Sequence, residues 1–360
     1  MTENNQFLEK IIHDHDIHRI FIVTGEKTIK NCLKNIPINK IKIDAKYFVH
    51  NKNNTDVQEI KRGINQVKSF KPDLIIAFGG GSIIDTAKSI NILALEAYPI
   101  SHYLLNKKEL PGNKYCILAA VPTTVGTGSE ATQFSVIYLR NKKYSLSHPA
   151  MLPEYPVLDI KNVLGIDEYQ VAISGFDALC QSIESYWSSA GNNKSRSYAL
   201  FAMEKIYKNI QAATFKRDSR NLEIMLKAAH YSGKAINISR TTLPHALSYY
   251  LTSKYKIPHG NSVALLLAQT ACSTFLRGNQ NVKKRLKTVF TIFGCTGPYE
   301  FLSRWVELMS SCGLKPKLSN YGIKNGDAEK IADAVNIERM GGHPVSFSRN
   351  ELVEIIQKSI

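Results

Sequence analysis

Residues 74–93, LIIAFGGGSIIDTAKSINIL, contain an apolar stretch that runs directly into three glycines and then into a helical pattern. Leu74 to Phe78 is typical of a buried strand, and Ile83 to Leu93 is typical of a helix. The glycines let backbone N–H groups approach a pyrophosphate, and the helix start adds partial positive charge. The spacing is not G-x-G-x-x-G, and a glycine run alone is more often a plain turn. The stretch predicts a strand–loop–helix unit that can bind a dinucleotide.

A second loop of this kind follows the apolar stretch Cys116–Val121. Its sequence, TTVGTGSE (Thr123–Glu130), offers hydroxyls and exposed amides that suit a ribose, a phosphate or a nicotinamide amide. Polar residues on the helix after the first loop add to the same set. The residues predicted to bind the dinucleotide are Gly25, Gly80, Gly81, Ser82, Asp85, Thr123, Thr124, Thr127, Thr132 and Lys143.

The sequence pattern changes once along the chain. Up to about residue 160, β-branched stretches alternate with helical ones, which predicts a doubly wound, mostly parallel sheet. From about Asp167 onward the apolar spacing is helical, and Pro153 and Pro156 around a return strand at Val157–Asp159 mark the hinge. We predict an α/β dinucleotide-binding domain at 1–163 and an all-helical metal-binding and substrate domain at 164–360. The predicted strands are Arg19–Val23, Leu74–Phe78, Cys116–Val121 and Phe134–Leu139. The predicted later helices are Ala199–Ala213, Leu222–Ile238, Lys283–Phe293, Tyr299–Cys312 and Glu351–Ile360.

Two stretches of the second half, Ser174–Trp187 (SGFDALCQSIESYW) and Pro244–Gly260 (PHALSYYLTSKYKIPHG), contain residues suited to a metal. Asp177 and Gln181 are four residues apart in a helical pattern, so both side chains project from one face. A carboxylate, an amide oxygen and two imidazoles suit Fe(II) or Zn(II), not thiolate chemistry. Taken alone, each residue is better explained by a structural role, but the joint spacing favours a metal site. The predicted metal ligands are Asp177, Gln181, His245 and His259.

The formal net charge of the 360 residues is +16. One interpretation is attraction of an anion, which includes a dinucleotide and a phosphorylated or phosphonylated substrate. The other is a set of lysines spread over solvated faces. The basic residues form short groups without a nucleic-acid-binding motif, so we expect no nucleic-acid partner.

Other compositional features indicate a cytoplasmic protein. The amino end has no signal pattern, and no apolar run reaches the ~18 residues that a membrane span needs, so we expect no membrane association. The six cysteines are scattered without a C-x-x-C pair, which favours reduced thiols over a disulfide framework. The histidines His13, His15 and His18 resemble a metal motif, but solvated side chains near a terminus are the favoured interpretation.

Four motifs resemble successive signatures of the iron-containing alcohol dehydrogenase family, in the same order and at similar spacing. They are GGGSIIDTAK (79–88), VPTTVGTGSEAT (121–132), GFDALCQSIESYW (175–187) and HALSYYLTSKYKIPHG (245–260). The resemblance covers nearly the whole chain. It implies a dinucleotide-binding N-terminal domain, an all-helical C-terminal domain, NADH or NADPH as cofactor, and a divalent metal, Fe(II) or alternatively Zn(II). A homodimer is also expected.

Two positions depart from the family pattern. Family members usually carry histidine where this chain has Gln181, and a further histidine where it has Tyr249. This combination most resembles the phosphonoacetaldehyde reductases of the family, which reduce phosphonoacetaldehyde to 2-hydroxyethylphosphonate. The implied substrate is a small anionic aldehyde, and Arg240 and Lys254 are candidate cations for it. Solvation at the surface is an equally open interpretation of both.

The expected reaction is hydride transfer from the nicotinamide to a carbonyl that the metal polarises. Tyr249 is the candidate catalytic residue, in a proton relay or, since a phenol is a poor base at neutral pH, only in positioning substrate. Family members tend to carry an acidic residue after the first strand, where this chain has Gly25, so NADPH is allowed and Lys27 can pair with its phosphate. Glu26 can still take the acidic role.

Three alternatives stay open at the level of sequence. The first is a general short-chain alcohol or aldehyde dehydrogenase of the same family. The second is a dehydroquinate synthase-like cyclase, which also uses NAD and a metal. The third is a metal-free scaffold that binds a dinucleotide, an interpretation that rests only on Gln181.

Overall fold

The computed structural model describes residues 3–36, 38, 43–52, 54–96, 98–106, 108–110, 112–140, 142–335 and 342–360. The chain forms two compact units. The first comprises residues up to Thr124 together with Gly128–Ile166, and the second comprises Val125–Thr127 together with Asp167–Ile360. The sequence-based boundary was placed after residue 163.

The first unit alternates strands and helices. In chain order its elements are α1 (Glu3–His15), β1 (Arg19–Gly25), α2 (Ile29–Asn35), β2 (Asp44–His50), α3 (Val57–Phe70), β3 (Leu74–Gly79), α4 (Gly81–Leu93), α5 (Ile100–Leu105), β4 (Ile117–Pro122), β5 (Phe134–Leu139), β6 (Lys142–Ser147) and β7 (Tyr155–Pro156). Short 3₁₀ turns lie at Ser129–Ala131, Pro149–Met151 and Ile160–Asn162. The predicted α/β class is confirmed.

Five of these strands form a parallel sheet in the order β2-β1-β3-β4-β7. Successive side chains of a strand point to opposite faces, and both faces are apolar here. Phe21 and Ile75 lie in the core under α3 and α4, whereas Ile22 and Ile76 lie in the core that contains Cys32 of α2. The helices that follow the neighbouring strands β1 and β3 therefore cover opposite faces. In doubly wound sheets, ligands bind at such a switch point, beyond the carboxyl ends of the strands.

Two sequence-based strand assignments need correction. Phe134–Leu139 is a strand, but it pairs antiparallel with β6 in a separate two-stranded sheet. Arg140 has a φ of 50°, the left-handed conformation that suits a tight hairpin, so the chain turns back instead of crossing over. The return strand lies at Tyr155–Pro156 and not at Val157–Asp159. A proline is tolerated there because β7 is an edge strand.

The second unit is helical. Its helices are α6 (Glu168–Trp187), α7 (Asn193–Phe215), α8 (Ser219–Ser239), α9 (Leu243–Tyr255), α10 (His259–Arg277), α11 (Gln280–Ile292), α12 (Pro298–Ser311), α13 (Ala328–Asp333) and α14 (Arg349–Gln357). The predicted all-helical second half is therefore confirmed. None of the helices among the described residues is both long and apolar enough to cross a membrane.

Candidate active site

Helix α6 carries two of the predicted metal ligands in its buried middle. Asp167 caps the helix by accepting a hydrogen bond from the Gln170 backbone. The helix is buried along most of its length, and Asp177 and Gln181 are only 4% and 5% exposed. A carboxylate is costly to bury without a positive or hydrogen-bonding partner. The buried carboxylate of Asp177 therefore needs a positive or hydrogen-bonding partner on a neighbouring element.

The first histidine, His245, lies in the first turn of α9 and is held by a buried carboxylate of α6. Glu184 is buried, and its Oε2 accepts a hydrogen bond from Nδ1 of His245. Its Oε1 accepts from the backbone and hydroxyl of Thr242, at 3.0 and 2.9 Å. Because the carboxylate holds a proton on Nδ1, Nε2 is the ring atom left for a metal, and it lies 3.3 Å from Asp177 Oδ1. This is the carboxylate–histidine arrangement that orients metal ligands in proteins.

The second histidine, His259, is the first residue of α10. The hydroxyl of Ser248 donates to the His245 carbonyl at 2.8 Å, so its oxygen is left to accept from Nδ1 of His259 at 3.4 Å. That tautomer again leaves the lone pair on Nε2. The ring of Tyr249 stacks on the His259 ring, with centroids 5.8 Å apart and planes 11° apart.

Close packing of α10 against α6 brings His259 to the site. Gly260 has no room for a side chain, because a Cβ there would overlap the Ile173 carbonyl oxygen and lie 3.0 Å from Cβ of Asp177. A glycine directly after His259 therefore lets the start of α10 approach α6. The sequence shows that a glycine directly follows His259. Sequence spacing alone does not show which neighbouring residue leaves no room for a side chain there.

Asp177, His245 and His259 form a cluster whose ligand atoms lie within 4.8 Å of one another. Nε2 of His245 is buried and makes no hydrogen bond to the described residues. Burial alone lowers the pKa of His245, but the carboxylates of Glu184 and Asp177 outweigh it and raise the pKa to about 9. The site therefore favours positive charge, which a divalent cation supplies as well as a proton does. The oxygen and imidazole donors suit Fe(II) or Zn(II).

Gln181 lies beside this cluster. Its amide lies 3.3 Å from Asp177 Oδ2 and 2.9 Å from the Ser232 hydroxyl of α8. That hydroxyl is also 2.9 Å from the Ala178 carbonyl of α6. The structure thus brings the buried side chain of Gln181 to the predicted metal site.

The predicted dinucleotide loops meet at the carboxyl ends of β3 and β4 in the first unit. Thr123 donates its backbone N–H to the Gly79 carbonyl at 3.1 Å, and a Cβ on Gly80 would lie 3.3 Å from Thr124. Gly80 precedes α4, and no side chain among the described residues caps that end of the helix. The N–H groups of Gly81 and Ser82 therefore begin the helix where a phosphate can bind. Gly25 ends β1, the neighbouring strand at the switch point.

Asp85, Thr132 and Lys143 belong to a network that fixes these loops. The fully buried ammonium of Lys88 donates to Ser129 and Thr132, both at 2.9 Å, and Ser129 donates to Asp85 at 2.5 Å. Burial lowers the pKa of Lys88 to about 8 against the opposing effect of Asp85. Burial also raises the pKa of Asp85, which Lys88 and Lys143 oppose. The carboxylate of Asp85 therefore contacts its own chain, where it accepts from the Ser129 hydroxyl and the Val136 backbone N–H.

The remaining predicted residues occupy different surroundings. Thr127 belongs to the short segment Val125–Thr127 of the second unit, where a Cβ on Gly126 would overlap Ser174 of α6. Arg240 is exposed and follows α8 with a φ of 63° and a ψ of 172°. Lys254 is exposed on α9, nine residues after His245. That spacing corresponds to about 180° around the helix and about 13 Å along it. The structure therefore does not bring Lys254 to the metal cluster.

Comparison with known proteins agrees with this architecture. Residues 3–160 match the family model of the iron-containing alcohol dehydrogenases, and residues 171–360 match that of the C-terminal part of the Fe-containing alcohol dehydrogenase family. The chain belongs to the iron-containing alcohol dehydrogenase family. As a member, it is an NAD(P)-dependent oxidoreductase that acts on alcohols.

Individual relatives of the family are distant in sequence. Alcohol dehydrogenase 4 of Saccharomyces cerevisiae is 29% identical over 85% of this chain and 81% of its own. Long-chain-alcohol dehydrogenase 1 of Geobacillus thermodenitrificans is 30% identical over 75% and 70%. The crystal structure of sulfoacetaldehyde reductase from Bifidobacterium kashiwanohense with NAD⁺ has a TM-score of 0.91 at 22% identity, covering 99% of this chain and 95% of that one. That likeness shows the fold.

Sequence reasoning missed several residues of the site. Glu184 and Ser232 contact predicted ligands, and Thr242 connects Glu184 to α9. Glu184 is seven residues after Asp177, two helical turns along the same face, and this spacing was available as a signal. No comparable signal exists for Ser232, because its role depends on how α8 packs against α6.

Proposed function

We propose that the protein is a metal-dependent NAD(P)H aldehyde reductase whose preferred substrate is phosphonoacetaldehyde, reduced to 2-hydroxyethylphosphonate. The observation that carries the metal part is the buried cluster of Asp177, His245 and His259, with ligand atoms within 4.8 Å of one another. Membership of the family supports the reaction class. The substrate is our inference from the residues that depart from the family pattern and from the charge of the chain.

The metal would be held by Asp177, His245 and His259. When bound, it would act as a Lewis acid that polarises the aldehyde carbonyl, and the nicotinamide would supply the hydride. Glu184 keeps Nδ1 of His245 protonated and so presents Nε2. The ring of Tyr249 stacks on His259, one of the residues of the cluster. In reduction a phenol can donate the proton that the product oxygen needs, which fits Tyr249 better than the role of a base.

Arg240 is the cation that we propose for selecting an anionic aldehyde. Its φ of 63° with ψ of 172° lies in a region that is almost exclusive to glycine. Such backbone strain costs on the order of 1–3 kcal/mol and clusters at functional sites. Two residues later, Thr242 precedes α9 and donates a hydrogen bond to Glu184, so Arg240 adjoins the network that orients His245. The net charge of +16 also favours an anion.

One relative in the fold comparison also acts on an anionic aldehyde by name, the sulfoacetaldehyde reductase. At 22% identity this likeness concerns the fold, so it motivates the choice of test substrates and nothing more. Gly25 leaves the end of β1 without a carboxylate, so both NADH and NADPH belong in the assay.

The test is a comparison of kcat/KM on phosphonoacetaldehyde, propanal and butanal with the metal-loaded enzyme and each cofactor. An ionic contact with the phosphonate is worth about 1.5–3 kcal/mol, or roughly tenfold to a hundredfold in kcat/KM. We expect phosphonoacetaldehyde to be preferred by that factor, and Arg240→Ala to reduce the preference selectively. Lys254→Ala tests the second candidate cation and should have the smaller effect. Arg220→Ala is the matched control, because it removes the same side chain from the far end of α8.

The outcomes separate the parts of the proposal. Equal efficiency on butanal and phosphonoacetaldehyde would contradict the anionic substrate and leave a general aldehyde reductase. Conversion of a substrate with no net change in NADH absorbance would point to a cyclase. Dinucleotide binding without metal or turnover would point to a scaffold.

A further inference from the structure

We propose that Trp187 is a positioning residue of the metal site. Its indole N–H sets the Thr242 hydroxyl, which orients the Glu184 carboxylate and, through that carboxylate, the ligand His245. The inference rests on the metal site of the proposed function. It extends that site to the side chain at the end of α6, ten residues after Asp177.

Four side chains form a line of hydrogen bonds in the interior of the second unit. The indole N–H of Trp187 donates to the Thr242 hydroxyl oxygen at 2.9 Å. The Thr242 hydroxyl donates to Oε1 of Glu184, also at 2.9 Å. Oε2 of the same carboxylate accepts from Nδ1 of His245. Trp187, Thr242 and Glu184 are fully buried, and His245 is 3% exposed, so no solvent competes for these bonds.

The direction of these bonds follows from the chemistry of the groups. An indole nitrogen carries one proton and is a donor only, so Trp187 can only donate. The Thr242 oxygen is therefore the acceptor, and its own single proton is left for another partner. Within the part of the chain that the structure describes, Oε1 of Glu184 is the acceptor at hydrogen-bond distance from that hydroxyl. The line thus runs from Trp187 through Thr242 to Glu184.

Thr242 gives up its usual role at the start of α9. It is the N-cap residue, where a threonine oxygen normally accepts from a backbone N–H of the first turn, but its side chain makes no such bond. Oε1 of Glu184 caps the helix instead, because it accepts from the backbone N–H groups of Thr242 and His245 at 3.0 and 3.3 Å. The hydroxyl that the indole holds therefore supports Glu184 and not the helix start.

The orientation of Glu184 matters because a ligating histidine is held in place by the partner of its other ring nitrogen. Without the indole N–H, the Thr242 oxygen is left free to accept from the first turn of α9, which competes with its bond to Glu184. Trp187 acts two hydrogen bonds away from His245. Its N–H should therefore be worth about one net hydrogen bond, which corresponds to roughly two- to tenfold in the dissociation constant of the metal.

The test is a double-mutant cycle in which Co(II) is titrated into the metal-free protein, with circular dichroism as the check on folding. Trp187→Phe removes the indole N–H and keeps an aromatic ring, and Thr242→Val removes the hydroxyl at nearly the same size. We expect Trp187→Phe to weaken Co(II) binding by roughly two- to tenfold. The double variant should be no weaker than Thr242→Val, because the indole then has no hydroxyl to hold. Thr242→Ser keeps the hydroxyl and should bind Co(II) as the wild type does.

Trp305→Phe is the matched control. Trp305 is the second of the two tryptophans, it is also buried, and its indole N–H donates to the Ala264 carbonyl at 2.9 Å. The control removes an equivalent hydrogen bond and an equivalent volume from the same unit. We expect it to lower the free energy of unfolding and to leave the affinity for Co(II) unchanged.

Two results would overturn the inference. One is a double variant in which the losses of Trp187→Phe and Thr242→Val simply add, and the other is a Co(II) affinity of Trp187→Phe equal to that of Trp305→Phe. A wild type that binds no Co(II) would instead refute the metal site of the proposed function, and the inference with it.

A second measurement decides the question if Trp187→Phe does not fold. In protein labelled with ¹⁵N-tryptophan, the two indole N–H signals are assigned by the loss of one of them in Trp305→Phe. We expect Glu184→Gln to shift the Trp187 signal and to leave the Trp305 signal in place. A Trp187 signal that does not move would show that its indole is not coupled to Glu184.

Discussion

In the first unit, the phosphate loop is predicted to bind the cofactor through backbone N–H groups at a strand end. In the second unit, the groups predicted to bind the metal are side chains from three helices. Gly80 and Gly81 begin α4 directly after β3, so one short stretch of sequence builds that loop. Asp177, His245 and His259 come from α6, α9 and α10, and they meet only because those helices pack closely. A site built from backbone groups therefore depends on local sequence, whereas a site built from side chains depends on helix packing and on the residues that support the ligands.

The largest effect should follow from removing a metal ligand. His259→Ala leaves Asp177 and His245 alone at the cluster, so we expect loss of the bound metal and a fall in kcat/KM of about 10³-fold or more. Metal analysis and turnover on the same preparation check this. His230→Ala on α8 is the control and should keep both. Normal metal content and activity in His259→Ala would place the site elsewhere.

A supporting residue should matter nearly as much as a ligand if the side-chain site depends on its surroundings. Glu184→Gln keeps the shape of the side chain but removes the charge that fixes the proton on Nδ1 of His245. We expect the dissociation constant of the metal to rise by roughly tenfold to a hundredfold, with the metal stoichiometry unchanged at saturation. Glu223→Gln, a surface carboxylate on α8, is the control. Identical metal affinities in Glu184→Gln and Glu223→Gln would show that Glu184 does not support the metal site.

The backbone site should respond to steric bulk near the phosphate and to little else. Gly81→Val places a branched side chain at the first position of α4, so we expect the KM of the cofactor to rise about tenfold or more, as a lost 1.4 kcal/mol would produce. The variant should keep its circular dichroism spectrum and its metal. Gly112→Val, at a position where a Cβ meets nothing within 4 Å, is the control. An unchanged KM for the cofactor in a folded Gly81→Val variant would show that the loop is only a turn and does not bind the phosphate.

The smallest effect concerns the buried lysine that fixes the dinucleotide loops. The pKa of Lys88 is about 8 in the folded chain and 10.5 for a solvated lysine. Between these values the unfolded chain binds more protons, so this group makes stability rise with pH, by at most about 1.4 kcal/mol per unit. The measurement is the free energy of chemical unfolding from pH 7.5 to 10, wild type minus Lys88→Met. A difference that stays flat over this pH range would contradict the assignment.

The difference between the two sites also decides what the sequence could predict. The strand–glycine–helix order at Leu74–Leu93 and the helical second half follow from local periodicity, and both are confirmed. The strand Phe134–Leu139 was wrongly assigned to the parallel sheet, because the sequence of an apolar strand looks the same in a parallel sheet and in a separate antiparallel hairpin. The structure brings together Asp177 and the two histidines, which were predicted from spacing and resemblance. The contact of Gln181 with Ser232 could not be predicted in that way, because Ser232 lies on another helix.

The most direct test of the metal centre is an anomalous difference map from crystals of the metal-loaded protein, recorded at the absorption edge of the metal. We expect one strong peak per chain, in contact with Asp177 and both histidines. The edge energy also distinguishes iron from zinc. Two results would contradict this expectation. One is a peak elsewhere, for example at His13, His15 and His18, and the other is the absence of a peak at the cluster in protein that turns over aldehyde.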